Sequence, residues 1–303
     1  MLDSSPLPAI VANSVGRSKD APATLDFVTT KHVPAGTTDK RAILGHPSQV
    51  WTPGLERRLE LLRRHIELEG RRILDIGCGV GAFVRRLGEF SSAVYGTDID
   101  RESVRRGSEA LPNLALALGE HMPFRSGTFD VILLHEVLEH VDNDIETLRE
   151  ARRLLAPGGR IVVFCPNRLY PFETHGIFVG KRYVFGNVPL VNWLPDALRN
   201  RLVPHARTYS HRRLSRVYRR AGLKPIVHTY VFPGFDHVME SRKIVGKALK
   251  AALYPFESTS LRIFGLSHFV VLVDETKGRA YPLGRMSSED PETNTPVSRQ
   301  SRA

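Results

Sequence analysis

Ile73-Leu74-Asp75-Ile76-Gly77-Cys78-Gly79-Val80-Gly81-Ala82-Phe83 is the stretch whose reading decides the fold. Apolar residues around a single acid read as a short buried strand, the alternate glycines as a loop, and Ala82-Phe83 as the start of a helix. Gly77, Gly79 and Gly81 strip the loop of side chains, so a ligand can lie against bare main chain. The helix start adds unpaired N–H groups at the same point. A dinucleotide pyrophosphate would suit such a loop, and the relaxed pattern G-x-G-x-x-A fits Gly77, Gly79 and Ala82. Asp75 argues against it, because a carboxylate two residues before the first glycine repels phosphate. S-adenosylmethionine (SAM) carries no phosphate, and its sulfonium and ammonium both favour a nearby carboxylate. The acid tips the reading to SAM, with Asp75, Gly77, Cys78, Gly79 and Gly81 as its contacts.

Outward from this loop, strands and helices alternate. Strand one is Arg72 to Ile76, followed by a helix from about Val80 to Phe90. Strand two is Ala93 to Asp98, with a helix from Arg101 to Ala110. Strand three is Asn113 to Leu118 and strand four Phe129 to His135. A helix from about Ile145 to Leu155 is stopped by Pro157-Gly158-Gly159, and strand five is Arg160 to Cys165. A helix from about Ser210 to Ala221, a strand from Pro225 to Phe232 and a last strand from Ser267 to Val273 complete the series. Before strand one, Leu55, Leu59, Leu62 and Ile66 recur at helical spacing, which predicts a helix from about Thr52 to Leu68. The expected fold is α/β: a doubly wound, Rossmann-like seven-stranded sheet with helices on both faces. Insertions follow strand five and separate the last two strands. The ligand belongs beyond the carboxyl ends of the strands.

Leu74-Asp75-Ile76-Gly77-Cys78-Gly79-Val80-Gly81 resembles the SAM-binding motif of class I methyltransferases. Val94-Tyr95-Gly96-Thr97-Asp98-Ile99-Asp100 resembles that family's second strand with its ribose-binding acid. Met122-Pro123-Phe124, Phe129-Asp130-Val131-Ile132 and Glu136-Val137-Leu138-Glu139-His140-Val141 resemble its fourth strand and exit. The nearest subgroup is the methyltransferase type 11 set that includes the ubiquinone-biosynthesis O-methyltransferases, over residues 70 to 167. The resemblance implies SAM as cofactor and methyl transfer as the reaction. It places Asp98 on the ribose hydroxyls with Ile99 beside it; a carboxylate there can accept from both hydroxyls. A cap for the next helix is the bland alternative for Asp98, and Asp100 suits that role better. At the adenine end the family has an acid followed by a small apolar residue. Here that alignment falls on Leu118-Gly119, so either Glu120 or backbone N–H groups read the ring.

Glu136, Glu139 and His140 follow strand four at i, i+3 and i+4, on one face if the segment is helical. Glu-x-x-Glu-His resembles a metal-binding motif of small-RNA 3′-end 2′-O-methyltransferases, with His175, His205 or His211 as a further ligand. A divalent metal on these groups is the minor reading; hydrogen bonding within the fold is the major one. Glu173 and His175 lie beyond strand five, where Glu173 can orient His175 as a base for an accepting hydroxyl. His140 and His135 are further candidate bases, and His135 is also a candidate cofactor contact. Between Asp196 and Asp236 there is no acid, yet the interval holds eight arginines, with His205 and His211. Arg199, Arg201, His205 and Arg207 are therefore candidate contacts for a phosphate or carboxylate on the acceptor. Residues 242–253 form a basic amphipathic helix, suited to an anionic membrane or, slightly better, to packing on its own core.

Composition bounds the rest. With 303 residues, 42% hydrophobic and 25% charged, one domain with tails is expected: 1–44 a disordered arm, 45–276 the methyltransferase domain, 277–303 a disordered tail. Insertions at 166–209 and 233–266 would define the acceptor pocket. No run reaches the roughly 18 to 20 apolar residues of a membrane span. Two cysteines without a C-x-x-C pair fit a reducing cytoplasm, with peripheral contact at the inner membrane face open. The net charge of +11 implies anionic partners. The acceptor expected is a hydroxyl of a small, anionic or lipid-linked molecule, such as a quinone precursor or glycolipid. An RNA methyltransferase is the weaker enzymatic alternative, because no aromatic cluster interleaves with the arginines. A non-catalytic SAM-fold protein binding membranes or a partner is the other.

Overall fold

Successive residues on the central strands bury on opposite sides of one sheet, and that alternation builds two apolar layers. Leu74, Ile132, Leu134, Val163, Val270 and Leu272 face one way, and Ile73, Val131, Leu133, Val162, Phe269 and Val271 the other. The computed structural model describes residues 52–180, 182–184, 186–235 and 241–277. The expected arm at 1–44 and nearly all of the expected tail lie outside them. Lys277 does not: its Nζ donates to the carbonyls of Arg152, Arg153 and Leu155.

Five strands run parallel: β1 (Ile73–Ile76), β2 (Val94–Asp98), β3 (Leu114–Leu116), β4 (Phe129–His135) and β5 (Leu155–Pro166). Two short hairpin-like pairings, β6 (Phe172–Glu173) with β9 (Val188–Pro189) and β7 (Ile177–Val179) with β8 (Arg182–Val184), decorate the segment after β5. β10 (Lys224–Val231) and β11 (Ser267–Val273) finish the sheet, whose order is β10-β11-β5-β4-β1-β2-β3. β11 runs antiparallel to both neighbours. The order reverses between β1 and β4, so the carboxyl ends of β1, β2 and β4 converge on one crevice.

Helices α1 (Thr52–His65) and α2 (Ala82–Leu87) cover one face, and α4 (Asp144–Leu154) and α6 (His211–Arg220) the other. α3 (Arg101–Ser108) precedes β3, and α5 (Asp196–Leu202) belongs to the segment after β5. Asp100 caps α3, accepting from Ser103 N at 2.8 Å, and Asn143 caps α4. The Pro-Gly-Gly stop is placed differently from the expectation: α4 ends at Leu154, and Pro157 to Gly159 lie inside β5 at a register shift against β4. A bulge absorbs the proline that a regular parallel strand could not pair. α7 (Lys243–Leu253) departs further. Its apolar stripe does not pack on the core: Gly246 is its one buried residue, and Ile244 is 85% exposed. Among the described residues no helix is long and apolar enough to cross a membrane.

Candidate active site

The glycine loop joins the end of β1 to α2. Gly77 has φ +74°, and a Cβ there would lie 2.4 Å from Val137 Cγ2, so the loop packs directly against the chain leaving β4. Gly79, at φ +56°, has nothing within 4 Å of where its Cβ would be. Bare backbone thus faces open space at Gly79, where the expected ligand would approach. Behind it, Cys78 is buried, and Gly77 N and Cys78 N both donate to Thr97 O. Asp98 holds the loop from the tip of β2: Oδ2 accepts from Gly79 N at 2.7 Å and Oδ1 from Asp100 N at 2.8 Å. A carboxylate has further lone pairs for ribose hydroxyls. Ile99, next along, is half-buried.

Asp75 is 2% exposed, and its buried Oδ1 has no hydrogen-bond partner. Burial, with Asp98 nearby, pushes its carboxyl well above the usual carboxylate range. A buried acid left unpaired is costly unless a cation completes it. An ammonium or sulfonium beside Oδ1 would do so, and the pocket fits SAM on that ground. At the adenine end, Glu120 Oε1 accepts from Asn143 N at 3.1 Å, tying the loop after β3 to the cap of α4.

The chain leaving β4 is a turn, not a helix: Glu136 takes φ +56°, and Glu136, Glu139 and His140 do not share a helical face. Glu136 points to α1 and β11, where its Oε1 accepts from Arg58 Nη2 at 2.9 Å and Ser267 Oγ at 2.7 Å. Burial opposes its ionisation, but Arg58 and the hydroxyl overcome this and hold it at about 2. Arg58 carried no sequence signal, lying 78 residues away on α1. His135 is packed against Phe83 and Phe164, with ring centroids 5.1 and 5.5 Å away. Burial, helped by Arg58, lowers it to about 3, so it is neutral.

Glu139, His140 and His175 come together, with ligand-type atoms all within 4.8 Å of one another. His140 Nδ1 donates to His205 O at 3.1 Å, and His175 Nδ1 to Glu173 Oε1 at 2.9 Å. Each imidazole therefore carries its proton on Nδ1 and turns a bare Nε2 towards Glu139 Oε1, at 3.9 and 4.0 Å. Both Glu139 oxygens are buried without partners, and burial together with Glu136 drives its carboxyl well up. Burial and His175 bring His140 down to about 4. Glu173 is held in turn by Arg199 Nη2 at 2.6 Å, both side chains 1% exposed. Burial resists its charge, yet His175 and Arg199 keep it ionised, at about 2. His205 Nε2 donates to His175 O at 3.1 Å, so three histidines interlock across distant segments.

The chain is similar to known proteins over the stretch that carries the glycine loop and the β4 turn. Residues 74–163 match the family described as a methyltransferase domain (type 11). An uncharacterized protein of Methanocaldococcus jannaschii is 34% identical over 125 residues, 41% of this chain and 55% of that protein. A ubiquinone biosynthesis O-methyltransferase of Nitrosococcus oceani is 32% identical over 119 residues, 37% of this chain and 50% of that enzyme. The chain spans about half the length of these curated relatives. A SAM-dependent methyltransferase structure from Mesorhizobium loti superposes with a TM-score of 0.50 at 19% identity, covering 72% of this chain and 99% of that one. Residues 74–163 are a class I methyltransferase domain. Its family's cofactor is SAM.

Around the methyltransferase domain, the arginine-rich interval divides into three uses. Arg199 is buried against Glu173, also donating to Ala206 O, and Arg207 donates to the carbonyls of Val141 and Asp142 behind the β4 turn. Arg201 is exposed on α5, and His205 is spent on the histidine interlock. The expected acceptor contacts Arg199, His205 and Arg207 thus already have protein partners. The remaining arginines, Arg212, Arg213, Arg216, Arg219 and Arg220, line the exposed side of α6 without an acidic partner among the described residues. Several arginines elsewhere are paired with acids: Arg64 with Glu60, Arg86 with Glu56, Arg105 with Glu102 and Arg153 with Glu150.

Proposed function

We propose that the protein methylates a hydroxyl of a small acceptor, using SAM bound over the Asp75–Gly79 loop and His175 as the base. The reading rests on one observation: the bare Nε2 atoms of His140 and His175 face a buried, unpaired Glu139 on the turn that packs against the glycine loop. Glu173, held by Arg199, keeps His175 in the tautomer whose Nε2 can take a proton. The acceptor oxygen then displaces the sulfonium methyl in line. Holding the two atoms aligned in a dry site supplies most of the acceleration. The two insertions, 166–209 and 233–266, would flank the pocket and select the acceptor. An anionic or lipid-linked acceptor suits their basic and apolar character.

Glu139, His140 and His175 are also a donor set for a divalent cation, two imidazoles and a carboxylate. Glu173 and the His205 carbonyl orient the two imidazoles as metal-site supports do. A bound cation would lower the pKa of a coordinated hydroxyl. His175 then serves as ligand instead of base, and activity lost to a chelator and restored by Mg²⁺ or Mn²⁺ separates the two roles.

Methyl-labelled SAM incubated with fractionated lysate tests the function itself. Label should enter a small-molecule or lipid fraction and vanish with Asp75→Ala. Label in RNA, or SAM binding with no labelled product in any fraction, would favour the alternative readings instead.

A further inference from the structure

Between β10 and β11, the described residues 241–266 leave several large apolar side chains exposed. On α7, Ile244 and Val245 are 85% and 45% exposed, and Ala248, Ala251 and Ala252 are exposed beside them. Two 3₁₀ turns follow, Tyr254–Ser258 and Ser260–Phe264, and the second exposes Leu261, Ile263 and Phe264. At about 3.6 residues per turn these α7 residues occupy one arc of the helix. Lys243, Lys247 and Lys250 line one border of that arc, while Gly246, Leu249 and Leu253 turn to the protein. The helix therefore has three sides: one packed, one basic and one apolar in solvent.

This platform is fixed at the ligand end of the sheet. Asn167 Nδ2, just beyond β5, donates to Ile263 O and Gly265 O at 2.7 Å each. Glu257 Oε1 accepts from Phe232 N at 2.9 Å and from Arg57 of α1 at 2.5 Å. The apolar face thus sits at the end of the molecule where the glycine loop opens.

We propose that α7 and the Leu261–Phe264 turn dock on an anionic lipid bilayer. Charge selects this occupant. α7 contains no acid, and neither Lys243 nor Lys247 has a partner among the described residues. Lysines along the border of an apolar arc can extend to lipid headgroups while the arc enters the acyl boundary. A protein partner fits less well, because lysine is depleted from protein interfaces and the α7 arc holds only aliphatic residues and alanines, with Phe264 of the neighbouring turn adding a single exposed aromatic. The bilayer would then present a lipid-linked acceptor to the crevice. Docking does not depend on methyl transfer, and it is measured without SAM, so either reading can fail alone.

The test is co-sedimentation of the full chain with phosphatidylcholine vesicles, with and without phosphatidylglycerol. Binding should require phosphatidylglycerol and weaken as salt rises. Ile244→Glu and Val245→Glu should each lower partitioning by about tenfold, and Lys243→Gln and Lys247→Gln by about fivefold each. Melting temperature and SAM affinity serve as fold controls; should the glutamates disturb them, the two lysine variants still decide. Three results would overturn the proposal: no binding to phosphatidylglycerol vesicles, binding that survives the substitutions, or vesicle-free self-association that Ile244→Glu/Val245→Glu abolishes. The last would assign the face to a second copy of the chain.

Discussion

An enclosed acid with an empty oxygen works against the fold until a cation arrives, and Asp75 is such an acid. Asp75→Asn keeps the shape and removes the charge. It should raise the melting temperature of the ligand-free protein, because no buried carboxylate remains to desolvate. The same change should weaken SAM about ten- to hundredfold by calorimetry; unchanged affinity would contradict the placement of the cofactor. His175→Ala should separate from it, losing about 10² to 10⁴ in turnover with SAM affinity intact. The cofactor side of the proposed site could be drawn from sequence because its residues are local: Asp75, Gly77 and Gly79 adjoin one another, and Asp98 ends the next strand. The base cluster was only half legible. Glu139 and His140 stood out by spacing, but a positive φ at Glu136 turned the chain and sent that residue to Arg58 instead. Nothing in a periodic pattern announces such a turn.

At the scale of elements, the buried Glu173–Arg199 pair ties the segment after β5 to α5. Arg199→Leu should cost about 3–5 kcal/mol in urea unfolding, since it leaves the Glu173 carboxylate buried without its guanidinium counter-charge. Glu173→Gln combined with Arg199→Leu should recover part of that loss. A second element-level device joins α6, β10 and β11: His211 stacks on His228 at 4.1 Å, His228 Nε2 meets His268 Nδ1 at 3.1 Å, and His268 Nε2 donates to Tyr209 O. Burial lowers His228 to about 3 and His268 to about 4, against an ordinary 6.5. The unfolded chain takes up these protons first, so stability is full above 6.5 and falls as the pH drops towards 4. His228→Leu should flatten the slope of unfolding free energy against pH in that window, while leaving a neutral-pH penalty for the unpaired His268. Strands β4 and β11 were readable to the residue because both faces are buried and the runs are uninterrupted. β5 was not, because Pro157-Gly158-Gly159 signals a break equally well by ending a helix or by bulging a strand.

For the molecule as a whole, charge is unevenly spent. α4 pairs all three of its arginines with acids and α1 three of its four, whereas α6 leaves five side by side under a net charge of +11. Their mutual repulsion predicts a melting temperature that rises between about 0.05 and about 0.5 M salt. Arg216→Glu with Arg219→Glu should raise it at low salt and blunt the dependence; an unaltered salt profile would place the repulsion elsewhere. The sheet's layering could be foreseen from alternation alone, but which surfaces remain outside could not. The stripe on 242–253 reads identically whether a core or a bilayer covers it, and only tertiary placement shows it uncovered. Asn167 carries a consequence of its own. By clasping the carbonyls of Ile263 and Gly265, one amide fastens the roots of both excursions together. Engineering a new acceptor range would therefore mean exchanging both segments as a single cassette, since a graft of either alone would arrive without its anchor.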